Sequence, residues 1–205
     1  MKVRTEAKRE AIVVAAAALF QELGYERASM NELAKRLGGS KATLYGYFES
    51  KEVLFGAVVR ALATTHLAEA ALELRGPVES AAELESVLLR FAERMLLVLG
   101  NDAGALALNR MVVAEAGRSE VGQVFHASGP SECIAALAAL LGLAMERGLL
   151  RRGDPRLRAR QATALITAEV NARMYERDPP PIALPAIRKI AERAVEMFLA
   201  GAAPR

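Results

Sequence analysis

Few residues in this sequence suit redox, metal or covalent chemistry. Among its 205 residues there is one cysteine, Cys133, no tryptophan, and two histidines, His66 and His126. A lone cysteine excludes an intrachain disulfide and fits a reducing compartment. Neither histidine has a second histidine, a cysteine or a carboxylate at metal-ligand spacing. We therefore expect no metal and no cofactor, and we expect Cys133 to be a small buried residue.

Strand and membrane-span patterns are also missing. β-Branched residues do not gather into alternating runs, whereas alanine and leucine, which favour helices, dominate the 53% apolar fraction. We find no stretch with the roughly 20 uncharged apolar residues that a membrane span needs. The charged first residues lead into an amphipathic helix rather than a secretory signal. The sequence predicts an all-α, cytoplasmic protein that does not associate with a membrane.

The first alternative function for this sequence is that of an enzyme. It would need a nucleophile–base pair, a metal cluster or a glycine-rich phosphate loop between a strand and a helix. None of these patterns is visible in the sequence. We therefore expect no enzymatic activity.

Caps and helix breakers divide the chain into about ten helices. The first spans about residues 6–23 and ends at Gly24, and a capping box of Ser29 and Glu32 opens the second. Ser40 caps a third helix to Phe48. The later helices are predicted at about residues 51–75, 79–99, 104–117, 119–127, 130–149, 155–177 and 184–200. We expect a compact module at residues 1–50 and a larger helical domain at 51–205.

Positive charge is concentrated in the first quarter of the chain. Residues 1–51 contain nine lysines and arginines against six glutamates, which accounts for the whole net charge of +3. This asymmetry suits a polyanionic partner at that end, although a surplus of three is weak evidence alone.

The segment from Ser29 to Leu54 predicts a helix-turn-helix. Two short helices joined by a tight glycine turn present the second helix to the major groove of double-stranded DNA. Gly38 would supply the positive φ of the turn. The outward positions of the second helix include no carboxylate, as a surface that meets phosphates requires; they are Lys41, Ala42, Thr43, Tyr45, Gly46 and Tyr47. The hydroxyls of Ser29 and Ser40 and the ammonium of Lys51 are further groups suited to phosphate oxygens.

This segment resembles the TetR family of bacterial regulators at ten spaced positions, namely Leu37, Gly38, Ser40, Thr43, Leu44, Tyr45, Tyr47, Phe48, Lys51 and Leu54. The resemblance implies that Ser29, Tyr45, Tyr47 and Lys51 anchor phosphates. It also implies that bases are contacted from Lys41, Ala42, Thr43 and Gly46. The sequence departs from the family pattern at Gly39, where an apolar residue is usual, and at Gly46, where a larger residue is common.

The later part of the chain resembles an AefR-like subgroup of the same family. The resemblance is carried by residues 110–118, the Val124-Phe125 pair and the Gly129-Pro130 pair. It implies a helical domain for dimerisation and for an unidentified small-molecule effector. Six residues on its helices could line an effector cavity, although core packing or solvent exposure explains each of them as well: Met95, Asn109, Met111, Phe125, His126 and Met145.

Together these features predict a homodimeric regulator, with repression the family's commoner mode of action. The dimer face would be formed by the last two helices. Their apolar stripes comprise Leu157, Ala164, Leu165, Ala168 and Ala172, then Ile187, Ile190, Ala194, Val195, Phe198 and Leu199. A second alternative is a helical protein-interaction module with a decayed DNA motif, which Gly39 and Gly46 leave open.

Overall fold

The computed structural model describes residues 5–204, without the side chains of residues 63–69 and 128, so His66 lies outside the described side chains. Within this range the chain is all-helical and contains no β-strand, which confirms the predicted fold class. The helices α1 to α10 are Glu6–Arg27, Met30–Arg36, Lys41–Tyr47, Lys51–Leu72, Ala81–Asn101, Ala103–Glu115, Val121–Ser128, Pro130–Glu146, Pro155–Thr167 and Leu184–Ala202. A short 3-10 helix, Asn171–Tyr175, lies between α9 and α10.

Side-chain caps define where several helices begin. The hydroxyls of Ser29, Ser40 and Ser50 each accept a hydrogen bond from the backbone N–H three residues further on, at 3.1, 3.1 and 3.2 Å. Asp154 caps α9 in the same way, with Pro155 at its first position. The caps at Ser29 and Ser40 are those that the sequence predicts. Each cap satisfies a backbone donor that has no partner within its helix.

The chain folds into two compact units. The first comprises residues up to 64 together with 107–128, and the second comprises 65–106 together with 129–205. The expected boundary after residue 50 therefore falls inside the first unit. The physical reason is burial, because Leu54, Phe55 and Val58 of α4 belong to the same hydrophobic core as α1.

The core of the first unit contains an aromatic cluster. The ring of Phe20 lies 5.1 Å from that of Phe55 and 5.7 Å from that of Tyr25, measured between centroids. Phe20 and Phe55 are almost completely buried, and Leu33 of α2 and Leu44 of α3 belong to the same core. This core holds α2 and α3 against α1.

The core of the second unit is built by α5, α8, α9 and α10. Phe91, Leu137 and Leu141 lie at its centre. The apolar stripe of α10 also belongs to it, since Ile187 and Phe198 are 1% and 5% exposed. The prediction that this stripe faces a second subunit is therefore wrong, because the stripe packs against α5 and α9 of its own chain.

The helix predicted at residues 155–177 is also shorter than expected. α9 ends at Thr167, and the 3-10 helix follows it after a turn. The hydroxyl of Thr163 donates to the carbonyl of Ala159 at 2.9 Å, and that of Thr167 donates to the carbonyl of Thr163 at 3.0 Å. Such bonds compete with the backbone hydrogen bonds of the helix, slightly destabilise it and often bend it.

Among the described residues, one stretch, Val121–Glu146, is long and apolar enough to cross a membrane by length and composition alone. It contains Glu132, so it is not the uncharged run of about 20 apolar residues whose absence the sequence analysis noted. It comprises α7 and α8, and 47% of its most apolar window is buried inside the protein. Core helices of soluble proteins pass the same test of length and composition.

Candidate nucleic-acid interface

The turn between α2 and α3 depends on one glycine. Gly38 has a φ of +59°, as the sequence predicts. The N–H of Gly39 donates to the carbonyl of Ala34 at 3.0 Å and closes the end of α2. Gly39 itself has no left-handed φ, and a Cβ added to it would meet no atom within 4 Å. Glycine is therefore required at the first of these positions and not at the second.

α3 presents a polar face without a carboxylate. Lys41, Ala42 and Tyr45 are exposed, whereas Leu44 is buried. The ammonium of Lys41 lies 5.7 Å from the ring centroid of Tyr45, within the range of a cation–π contact. Half-buried positions complete this face, namely Thr43, Gly46 and Tyr47.

Three of the predicted phosphate-binding hydroxyls already have partners within the protein. Ser29 and Ser40 cap α2 and α3, and the oxygens of Ser40 and Thr43 lie 2.9 Å apart. The hydroxyl of Tyr47 accepts a hydrogen bond from the N–H of Thr5 at 3.3 Å, which links α3 to the residue that caps α1. These groups position α3 whatever else they bind.

Lys51, at the start of α4, is held over an aromatic ring. Its ammonium lies 4.1 Å from the ring centroid of Tyr25 and donates to the backbone carbonyl of Glu26 at 3.4 Å. The hydroxyl of Tyr25 donates to Glu52 at 3.0 Å. Burial, together with this hydrogen bond, raises the pKa of Tyr25 well above its usual value of 10.0.

The sequence analysis did not identify Tyr25 as a residue of this site. The only local signal is its place directly after Gly24, whose φ of +76° turns the chain at the end of the first helical segment. Its contact with Lys51 depends on how α1 packs against α4.

An ion pair links α2 to α1. A guanidinium nitrogen of Arg36 lies 2.7 Å from the carboxylate of Glu22. Hydrogen bonding to Arg36 lowers the pKa of Glu22. The pair is exposed to solvent, so it orients α2 more than it stabilises the fold.

The six effector candidates do not form one group. Met95 and Met145 are buried in the core of the second unit. Asn109, Met111, Phe125 and His126 lie on α6 and α7 within the first unit. Met111 lines a cleft there, and His126 is exposed.

The architecture of the first unit is that of a helix-turn-helix DNA-binding protein, with α3 as its exposed second helix. Two family models match the chain and agree with this class. Residues 12–58 match the bacterial regulatory proteins of the tetR family, and residues 86–201 match the C-terminal domain of AefR-like transcriptional repressors. The chain belongs to the TetR family of transcriptional regulators, which confirms the resemblance found in the sequence.

Solved structures similar to this chain are regulators of the same family. A TetR-family regulator from Mesorhizobium loti is 30% identical, with a TM-score of 0.81 and 98% coverage of both chains. The flavonoid-responsive regulator FrrA is 31% identical, with a TM-score of 0.80 and coverage of 98% of this chain and 100% of that one.

A curated relative is similar over a smaller share of its length. The A-factor receptor protein of Streptomyces griseus is 33% identical over 162 residues, which cover 76% of this chain and 51% of the relative. The chain thus spans about half the length of that relative.

Proposed function

We propose that this regulator is a cytoplasmic repressor that binds a palindromic operator as a homodimer and releases it when a small-molecule effector binds. The observation that carries the proposal is the face of α3, which exposes Lys41 and Tyr45 without a carboxylate. Two copies of α3, about 34 Å apart in a two-fold dimer, would enter successive major grooves.

Within this proposal, Lys41, Ala42, Thr43 and Gly46 contact bases. The exposed ammonium of Lys41, at the first position of α3, is suited to the acceptor atoms of guanine. The methyl group of Thr43 is suited to that of thymine.

The phosphates are anchored from both sides of α3, by Ser29, Ser40, Tyr45, Tyr47 and Lys51. A capping hydroxyl accepts a hydrogen bond from its helix and keeps its own hydrogen, which can be donated to a phosphate oxygen. The contact of Lys51 with Tyr25 supports this assignment, since it restricts a long flexible side chain before DNA binds.

The proposed dimer uses the outer faces of α9 and α10. Leu157 of α9 is 50% exposed and Met197 of α10 is 63% exposed. These residues remain available for a second subunit after the inner stripe of α10 has packed within its own chain.

Effector control is supported by the names of two relatives, the A-factor receptor protein and the flavonoid-responsive regulator. The first name describes a receptor, and the second describes a response to flavonoids, which are small organic molecules. An effector releases DNA only if it binds the operator-free state better, by about 1–3 kcal/mol in typical coupling.

A mobility-shift titration on the DNA upstream of the gene tests the DNA-binding step. With about 6–10 phosphates neutralised per dimer, affinity should fall by roughly three to five decades between about 50 and 200 mM salt. Specific retardation with this salt dependence supports the regulator. Absence of specific retardation would favour the protein-interaction module.

A further inference from the structure

The first turn of α1 contacts the C-terminal end of α3. The backbone N–H of Thr5, the residue that caps α1, donates to the hydroxyl of Tyr47 at 3.3 Å. One turn further along α1, the guanidinium of Arg9 lies over the ring of Phe48, with its central carbon 5.0 Å from the ring centroid. The two contacts engage adjacent residues, so they fix the start of α1 beside the helix that is proposed to read DNA.

Arg9 is held by an aromatic ring in the same way as two cations already assigned to the interface. The ammonium of Lys41 lies over the ring of Tyr45, and that of Lys51 lies over the ring of Tyr25. The three cation–π contacts found among the described residues are all in the first unit. A cation that is already restrained over a ring loses less side-chain entropy when it binds a phosphate.

The ion pair that Arg9 makes within the described residues is weak. A guanidinium nitrogen of Arg9 lies 3.6 Å from the carboxylate of Glu6, and the two side chains are 42% and 83% exposed. A pair this exposed contributes little to stability. The distance is also longer than a hydrogen bond, so this contact uses none of the five N–H donors of the guanidinium. Their planar fork matches two oxygens of a phosphate.

We propose that Arg9 anchors a phosphate of the operator backbone at the end of α3, as a contact additional to those made from α2, α3 and α4. This inference rests on the proposed function. Lys41 stands at the first position of α3 and Arg9 lies at its last residues, so the two cations bracket the helix. The phosphate replaces Glu6, whose exposed side chain is free to move into solvent. A backbone contact of this kind strengthens binding to all sequences alike.

The test uses the duplex that the unaltered protein selects from a random pool, labelled for fluorescence anisotropy and titrated at several salt concentrations. In the dimer, Arg9→Gln should weaken affinity more than about tenfold, as loss of two charge-assisted contacts implies. It should also reduce the slope of log affinity against log salt by about one to two units. Arg9→Lys keeps the charge and should keep most of the slope. The matched control Arg152→Gln, at an exposed position of the second unit, should leave the slope unchanged.

Glu6→Gln supplies a second measurement that does not depend on the folding of Arg9→Gln, because Glu6 is exposed. It removes the carboxylate that competes with the phosphate, so it should strengthen binding to the same duplex. Glu146→Gln makes the same change of charge at an exposed position of the second unit and should have a smaller effect. Equal effects of the two substitutions would overturn the proposal.

Duplexes that carry one neutral methylphosphonate in place of a phosphate locate the contact. One such replacement should weaken binding by the unaltered protein and by Lys51→Ala, and should have little effect on Arg9→Gln, which has already lost that contact. If Arg9 only holds α1 against α3, Arg9→Gln would weaken binding without changing the salt slope, and the proposal would be wrong. Absence of specific binding by the unaltered protein would overturn the proposed function as well, whereas an unchanged slope in Arg9→Gln counts against this inference alone.

Discussion

The ammonium of Lys51 lies 4.1 Å from the ring centroid of Tyr25, although the two residues are 26 positions apart in the sequence. The ring is held in turn by the hydrogen bond from its hydroxyl to Glu52. A residue of α1 thus fixes the direction of a lysine at the start of α4, beside the helix proposed to read DNA.

Replacing Tyr25 should separate the contribution of its ring from that of its hydroxyl. Tyr25→Phe keeps the face on which Lys51 lies and should leave operator affinity within about twofold. Tyr25→Leu removes that face and should weaken the affinity of the dimer about five- to thirtyfold, the scale of a cation–π contact of about 0.5–1 kcal/mol in each of two subunits. Fluorescence anisotropy with a labelled operator measures both, and thermal unfolding confirms that each variant is folded. Equal affinities for the two variants would contradict a role for the ring.

Alanine substitutions at the two adjacent glycines of the turn between α2 and α3 should have different effects on stability. Gly38→Ala forces a side chain into a left-handed conformation and should lower the free energy of unfolding by about 1–2 kcal/mol. Gly39→Ala is the matched control, because its φ is ordinary and its Cβ would lie in open space. Urea unfolding of both variants checks this, and equal losses of stability would show that the turn does not depend on Gly38.

Alanine substitutions at two neighbouring residues of α10 should differ in how strongly they destabilise the protein. Phe198 is 5% exposed and belongs to the core of its own unit, so Phe198→Ala should destabilise the protein by about 3–5 kcal/mol. Met197 is 63% exposed, so Met197→Ala should leave the stability of the subunit nearly unchanged. Denaturant unfolding, with sedimentation to record the oligomeric state, measures both effects. A small loss of stability in Phe198→Ala would instead favour the original prediction that this stripe faces a second subunit.

The thiol of Cys133 should be unreactive in the folded protein. Burial raises its pKa from 9.0 to about 11, so the thiol stays neutral at pH 8 and is also shielded from reagents. Since its folded-state pKa lies above the unfolded value, its contribution to stability is complete below about pH 9 and is lost as the pH rises towards 11.

Reaction with a chromogenic disulfide reagent at pH 8 should therefore be slow in buffer and fast in denaturant. Cys133→Ala should show a smaller loss of stability between pH 9 and 11 than the unaltered protein. Rapid modification of the native protein at pH 8 would contradict the buried position.

The sequence predicted the elements whose signals are local. α2 and α3 begin where Ser29 and Ser40 cap them, and the turn adopts its positive φ at Gly38. Capping and turn conformation depend on residues three or four positions apart, so they can be predicted from the sequence without knowledge of the tertiary structure.

The tertiary contacts could not be predicted from the sequence. The periodic stripe of α10 showed that one face is covered, but not that the cover is α5 and α9 of the same chain. The effector candidates were chosen by residue type, and the fold separates Met95 from Met111 into different units. No local pattern marked the contact between Arg9 and Phe48, because it depends on how α1 lies against α3.

The central claim is that α3 reads base sequence while Lys51 anchors phosphate. Selection of bound DNA from a random pool, carried out with the unaltered protein, Lys41→Ala and Lys51→Ala, tests it most directly. The unaltered protein should select a palindrome. Lys41→Ala should select a different base at one symmetric pair of positions. Lys51→Ala should keep the same preferred sequence, with weaker binding and a salt dependence reduced by about one to two units of slope per dimer. Selection of an asymmetric site, or an unchanged preference in Lys41→Ala, would contradict the account.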